Sequence, residues 1–292
     1  MRCAPGASRA GAARMAAREK VSEQTTGENG DGAGAALEPV RLEAPATPQS
    51  RPSQAGAALE PVRLEARHVG LELDGARILT DVSCEIDVRR LAIIGPNGSG
   101  KSTFLRLIDG LATPTEGEIR VLGIDPAEEP RRVHDAVGFV FTNPDSQIIM
   151  PTAAEDVAFS LKNVRRGGRR LSKEESDRRV AAALKRFGLE DVADVPAHSL
   201  SGGQKQLLSL AAALVREPAL VLADEPTTML DLPNARRIER ELTEGLGVPL
   251  IVATHDLDLA ARCDLALRFD GGRIAEVGEP DRVIAHYRAL YE

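Results

Sequence analysis

Cysteine is scarce in this 292-residue chain. Cys3, Cys84 and Cys263 are widely spaced, odd in number and form no CxxC pair. That excludes a disulfide framework and the usual zinc spacings, and it fits a reducing cytosol. No apolar run approaches the roughly 18 residues that a membrane span needs, so any membrane role must go through a partner. An excess of basic charge is missing too. The 44 acidic and 37 basic residues leave a formal net charge of −7, which argues against a dedicated nucleic-acid binder, because such proteins carry a basic domain. The rest of the composition, 42% hydrophobic and 28% charged, is that of a soluble globular protein able to bury a sizeable core.

The first part of the chain lacks aromatic residues altogether and is rich in Ala, Gly, Pro, Glu and Arg. Such a segment cannot bury enough apolar surface to offset its ordering entropy, so residues 1–61 are expected to form a disordered tail. The basic, Ala-rich start from Met1 to Lys20 has no apolar h-region and makes a poor signal peptide; Met15 is an alternative start. The stretch AGAALEPVRLEA occurs twice, at Ala33 to Ala44 and at Ala55 to Ala66. Two copies in a polar tail bury nothing, so this is no solenoid. It reads as a tandem duplication whose second copy alone joins the fold, with a repeated docking motif as the other reading.

From Val62 the texture changes. Val62 to Leu73 and Val82 to Val88 alternate as strands do, and Asp74-Gly75 marks a turn before Arg77 to Leu79. The short apolar runs Leu91 to Ile94, Val137 to Phe141, Leu220 to Ala223 and Leu250 to Ala253 read as strands, the last two as buried parallel ones. Helical patterns cover Lys101 to Leu111, Ala153 to Val164, Glu174 to Phe187 and Gln204 to Val215. The alternation predicts an α/β domain over 62–292 with a largely helical insertion at about 145–200.

Three motifs carry chemistry. Gly95-Pro96-Asn97-Gly98-Ser99-Gly100-Lys101-Ser102-Thr103 fits the P-loop pattern GxxxxGK[ST] between an apolar strand and a helix. Its glycines let successive N–H groups turn toward one anion, and the helix that follows adds its positive end. Lys101 is placed to reach the β- and γ-phosphates and Ser102 to ligate Mg²⁺. The run Leu220 to Ala223 ends in Asp224-Glu225. After a P-loop, Asp224 can hold a Mg²⁺-bound water, and Glu225 can orient and deprotonate the attacking water. Alone, the two acids would more simply cap a helix or face solvent. Leu200-Ser201-Gly202-Gly203-Gln204 precedes a helix. By itself it is a Ser N-cap with a flexible entry; beside the other motifs it is a second phosphate-binding helix end.

Together with Thr254-His255-Asp256, these motifs resemble the nucleotide-binding domain of ATP-binding cassette (ABC) ATPases, over roughly residues 62 to 292. The resemblance implies a P-loop NTPase fold with an antiparallel β subdomain and a helical insertion. It also implies a head-to-tail dimer, with itself or a paralogue, that sandwiches two ATP molecules. Each ATP would touch one subunit's P-loop and the Ser201, Gly202 and Gly203 of the other. Asp231 matches the loop that crosses the seam, and His255 the histidine that contacts the γ-phosphate; Glu225, His255 and Lys101 are then the catalytic set. The segment Phe141-Thr142-Asn143-Pro144-Asp145-Ser146-Gln147, with Glu155-Asp156-Val157-Ala158-Phe159, is similar to the ATPases of energy-coupling factor (ECF) importers of vitamins, cobalt and nickel. The wording QIIMPT and QLLSLAAAL is similar to the biotin branch. The implied partners are a transmembrane coupling protein, docked near Gln147 to Glu155, and a small substrate-binding membrane protein. The implied location is the cytoplasmic face of the cell membrane, peripherally bound.

Two positions depart from the family's pattern. Thr142 stands where the family usually has a Mg²⁺-ligating Gln, so it is a weak metal contact at best, and Gln147 is expected to serve the docking surface. Leu73 stands where an aromatic ring often stacks on adenine, so weak base selectivity is expected. A cobalt or nickel importer, an exporter and a soluble non-transport ABC ATPase are the other readings. The last lacks support here, because no long coiled coil splits the motifs and there is a single cassette. The basic run Arg165, Arg166, Arg169 and Arg170 reads as a solvated loop, with lipid headgroups as the alternative contact.

Overall fold

The structure, a computed structural model, describes residues 59–166 and 168–292. The tail expected at 1–61 and the first repeat copy lie almost wholly outside these residues. The second copy enters the fold as part of β1 (Val62–Leu73), which turns back into β2 (Ala76–Val88). Asp74 and Gly75 both have positive φ, 49° and 77°, which a two-residue hairpin of matching twist requires.

The chain then runs through β3 (Arg90–Ile94), α1 (Lys101–Asp109), β4 (Glu116–Val121), α2 (Pro130–Ala136) and β5 (Val137–Val140). Next come α3 (Ala153–Leu161), the short strands β6 (Arg165–Arg166) and β7 (Arg169–Arg170), α4 (Lys173–Arg186) and α5 (Gly202–Leu214). β8 (Leu220–Asp224) leads to α6 (Leu232–Arg240), which winds into a π-turn at Glu241–Gly245. β9 (Leu250–Ala253), α7 (Leu257–Ala260), β10 (Leu265–Asp270), β11 (Arg273–Gly278) and α8 (Pro280–Ala289) complete it.

β4 pairs with the free edge of β1, giving an antiparallel sheet of order β2-β1-β4. The main sheet has order β11-β10-β3-β9-β8-β5, parallel except at β11. Its inner strands are buried on both faces, which explains their unbroken apolar runs. Alternate residues feed two cores. Ala92, Ile94, Val221, Ala223 and Val252 face the helical insertion and α5. Leu91, Ile93, Leu222, Ile251 and Phe269 face α1 and the antiparallel sheet. The helix read as Lys101 to Leu111 ends at Asp109 because Gly110 takes a left-handed φ of 75° and closes it.

Asp109, in the last turn of α1, is 5% exposed, with His134 Nε2 at 4.0 Å. Burial pushes its carboxyl up to about 7, only partly offset by Arg216. The folded chain therefore holds this proton to higher pH than the unfolded chain, whose value is 3.8, and stability falls as pH rises between the two. Asp109→Asn is expected to raise the melting temperature by several degrees at pH 8 and by little at pH 4. Thermal melts across that range check it; an equal shift at both pH values would contradict it.

Candidate functional site

The P-loop leaves β3 and enters α1, wedged between the two sheets. Gly95, Gly98 and Gly100 have φ of 142°, 78° and 104°. A Cβ on Gly95 would collide with the main-chain oxygen of Phe269, and one on Gly100 would lie 2.6 Å from Leu79 Cδ2. The N–H of Gly272, in the turn between β10 and β11, donates to Ser99 O at 3.1 Å and pins the loop from behind. The Ser99 hydroxyl is buried and has no partner among the described residues, an orphan that a phosphate-bound loop can satisfy. Pro96 is half-buried, and Asn97 and Gly98 are exposed at the rim.

Lys101 is 5% exposed, and its Nζ donates to the main-chain oxygens of Gly95 (2.8 Å) and Pro96 (3.0 Å). Burial holds its pKa below the usual lysine value, opposed by the nearby Glu225 and Asp224. Ser102 Oγ donates to Asp224 Oδ1 at 2.7 Å. Burial raises the Asp224 carboxyl, while the Ser102 bond pulls it down. A hydroxyl and a buried carboxylate at this separation are the oxygen donors that a Mg²⁺ ion accepts. Thr103 is half-buried one residue further into α1. Thr142 lies on the same side, its Oγ1 donating to the main-chain oxygen of Asp224 at 2.9 Å.

Glu225 follows β8 with a φ of 49°, a left-handed conformation that non-glycine residues seldom adopt. Its N–H donates to Ala253 O at 2.8 Å, so the strained residue is locked to the end of β9. Oε2 lies 2.6 Å from His255 Nδ1 and accepts from the Thr228 hydroxyl at 3.3 Å. Glu225, Thr228 and His255 line one cleft with Gly95, Pro96, Asn97 and Tyr287. Thr228 and Tyr287 escaped the sequence reading. Thr228 follows the acids at the spacing of one turn; nothing in the sequence marks Tyr287, which α8 delivers from far down the chain.

Ser201, Gly202 and Gly203 do not line this cleft. Ser201 caps α5 by accepting from Gln204 N at 3.2 Å, and Gln204 Oε1 accepts from Ser201 N at 2.9 Å. Gly203 sits close under Asn234: a Cβ there would lie 2.3 Å from Asn234 Cγ, so that side chain would have to move to admit one. Asp231 caps α6 through Asn234 N at 3.0 Å. The Ser201 turn and Asp231 thus form one exposed surface, flanked by Met229 and Leu232, 77% and 65% exposed. Gln147 requires a correction. Its amide is not offered to a docking surface: Nε2 donates to Phe139 O (3.2 Å) and Ser209 O (3.4 Å), and Oε1 accepts from Phe141 N (3.4 Å). Half-buried, it ties the end of β5 to α5. Lys205–Asp145 (2.7 Å) and Gln206–Phe141 (3.3 Å) add to the same tie.

A glycine cradle opening a helix, a buried lysine and an acid-ended parallel strand define a P-loop nucleotide-hydrolysing domain. Residues 79–228 match the family model described as ABC transporter. The biotin transport ATP-binding protein BioM of Rhizobium etli is 46% identical, over 74% of this chain and 94% of that protein. The energy-coupling factor transporter ATP-binding protein EcfA1 of Lacticaseibacillus paracasei is 40% identical, over 71% of this chain and 75% of that one. The structure of cbiO1 from Clostridium perfringens, part of the ABC transporter complex cbiONQ, superposes with a TM-score of 0.68. It is 32% identical and covers 80% of this chain and 94% of that one. The chain belongs to the ABC transporter family and is one of its ATP-hydrolysing, ATP-binding domains. Among the described residues no helix is long and apolar enough to cross a membrane.

Proposed function

We propose that this chain is the ATPase subunit of an ECF-type importer of a micronutrient, with biotin as the cargo. The likeness to BioM over nearly that protein's whole length carries the reading. Cobalt or nickel is the second reading, favoured by the likeness to cbiO1. Two copies, or this chain and a paralogue, close head to tail at the cytoplasmic face of the membrane. The coupling protein docks beside Ile149, which is 63% exposed on the helical insertion.

At each site Lys101 exchanges the carbonyls of Gly95 and Pro96 for phosphate oxygens, and the N–H groups of the P-loop turn toward the same anion. Ser102 and Asp224 would hold a Mg²⁺ ion, which would supply positive charge beside the phosphates. Glu225 accepts a proton from water as the water oxygen attacks the γ-phosphorus. The bond to the β-phosphate oxygen breaks and ADP leaves. His255 orients Glu225 and faces the γ-phosphate, while Ser201, Gly202 and Gly203 of the second copy, with its Asp231, complete the far side. Leu73, 52% exposed at the tip of the first hairpin, offers the base apolar contact alone, so discrimination between adenine and guanine is weak.

Thr142→Gln is expected to raise basal ATP hydrolysis a few-fold, because the longer amide can reach the metal directly while Thr142 is committed to Asp224 O. Phosphate release from the purified proteins measures it; an equal or lower rate counts against the role. The reading as a whole is tested by gentle membrane solubilisation with a tag on this chain. A polytopic coupling protein plus a small biotin-binding membrane protein supports it. Only soluble partners would overturn it, and a metal-binding membrane protein would favour the second reading.

A further inference from the structure

Between Lys162 and Lys173 the sequence carries six cations and no acid, in a chain whose total is −7. Four of the six form the hairpin of β6 and β7, where Arg165 lies opposite Arg170 and Arg166 opposite Arg169. Like charges directly across a ladder repel, and a two-residue strand has little else to hold it. The surroundings do not relieve this. Arg165, Arg169 and Arg170 are exposed and make no ion pair among the described residues; the Arg165 guanidinium reaches only Gly168 O, at 3.3 Å. Of the acids at the start of α4, Asp177 pairs with Lys173 at 3.0 Å, Glu175 pairs with Arg178 and with Arg179 at 2.8 Å, and Glu174 bonds locally to the Ser172 turn that caps the helix. At the other side of the hairpin, Phe159 is 41% exposed, with Lys162 Nζ 5.4 Å from its ring centre.

We propose that this hairpin is a contact for an anionic lipid surface. Arg165, Arg169 and Arg170, exposed side by side and without an ion pair among the described residues, call for anions from outside the chain. A planar array of headgroups supplies several at once. Phe159 beneath Lys162 gives the patch an apolar flank of the kind that settles at a membrane interface. A nucleic acid fits less well. The hairpin is too short to track a backbone, the patch shows a single aromatic ring for base stacking, and the acidic remainder of the chain repels an extended polyanion. The contact does not depend on the transported substrate or on any protein partner.

The test uses the purified full chain in co-sedimentation with vesicles of phosphatidylcholine alone or doped with phosphatidylglycerol. The native chain is expected to pellet with the doped vesicles at low salt, to be released by high salt, and to ignore the neutral ones. The triple variant Arg165→Gln, Arg169→Gln, Arg170→Gln is expected to lose roughly a hundredfold in partitioning, about fivefold for each cation. Its melting curve and ATP hydrolysis should be unchanged. The corresponding triple Lys variant should retain most of the binding, which separates lost charge from a lost fold. Equal partitioning of native chain and Gln variant, or no preference for the doped vesicles, overturns the proposal. Arginine-dependent binding to a labelled RNA without vesicle binding overturns it in favour of a nucleic-acid contact. None of these results bears on the ATPase assignment.

Discussion

Glu225→Gln is expected to reduce ATP turnover about a hundredfold or more while leaving ATP binding intact. The amide has the shape of the carboxylate and keeps an oxygen for the Thr228 hydroxyl and the main-chain N–H of His255, 3.3 Å away in each case. The left-handed backbone at this position, with φ of 49°, costs Gln no more than Glu. What is lost is the capacity to take a proton, together with one negative charge near Lys101. ATP then binds, the two copies close, and the step that would reopen them fails. Phosphate release and size-exclusion chromatography with ATP and Mg²⁺ read the two halves of the result: slow release and an accumulating dimer. Undiminished turnover would sink the role assigned to Glu225.

The second large effect is expected at Gly95 and is sharpest as a contrast with Gly98. A Cβ at Gly95 points into the main-chain oxygen of Phe269, which belongs to β10 and cannot swing away as a side-chain tip would. Its φ of 142° adds backbone strain. Gly98 also has a left-handed φ, 78°, but nothing lies within 4 Å of an added Cβ. Gly95→Ala should therefore cost about 3 kcal/mol and roughly 10 °C in melting temperature, with loss of nucleotide binding. Gly98→Ala should cost about 1 kcal/mol. Melts without nucleotide measure both, and similar shifts would show that the P-loop can move away from β10.

The parts of the molecule legible in the sequence are those whose physics is local. The P-loop glycines, the four-residue apolar strands and the Ser201–Gln204 spacing of a capping box each announce themselves within ten residues. Elements that depend on distant partners do not. β4 buries only Ile119 and Val121, and β1 alone makes it a strand. α6 has Ile238 as its one buried apolar residue, with Leu232 left exposed. The Asp270–Arg273 corner joining β10 to β11 matters because Gly272 there latches the P-loop through Ser99 and β2 through Thr80, a tie across three separate stretches of chain. Gln147 misled for the same reason: its position beside the docking segment is visible in sequence, but its amide turns inward to Phe139 and Ser209. The pairing of Glu225 with His255 follows from β8 and β9 being neighbours, which no spacing between residues 225 and 255 reveals.

The reciprocal bonds between Ser201 and Gln204 have a kinetic meaning. The Ser201 and Gln204 side chains at the head of α5 already hold each other, and Asn234 packs close over Gly203. An anion arriving there meets a surface with nothing left to fold, so little ordering entropy remains to be lost at the moment of contact. Engagement at this end should then be quick and governed by charge and collision geometry. On the proposed reading, the slow, switchable step would then belong to the other side of the nucleotide, where the left-handed Glu225 meets His255.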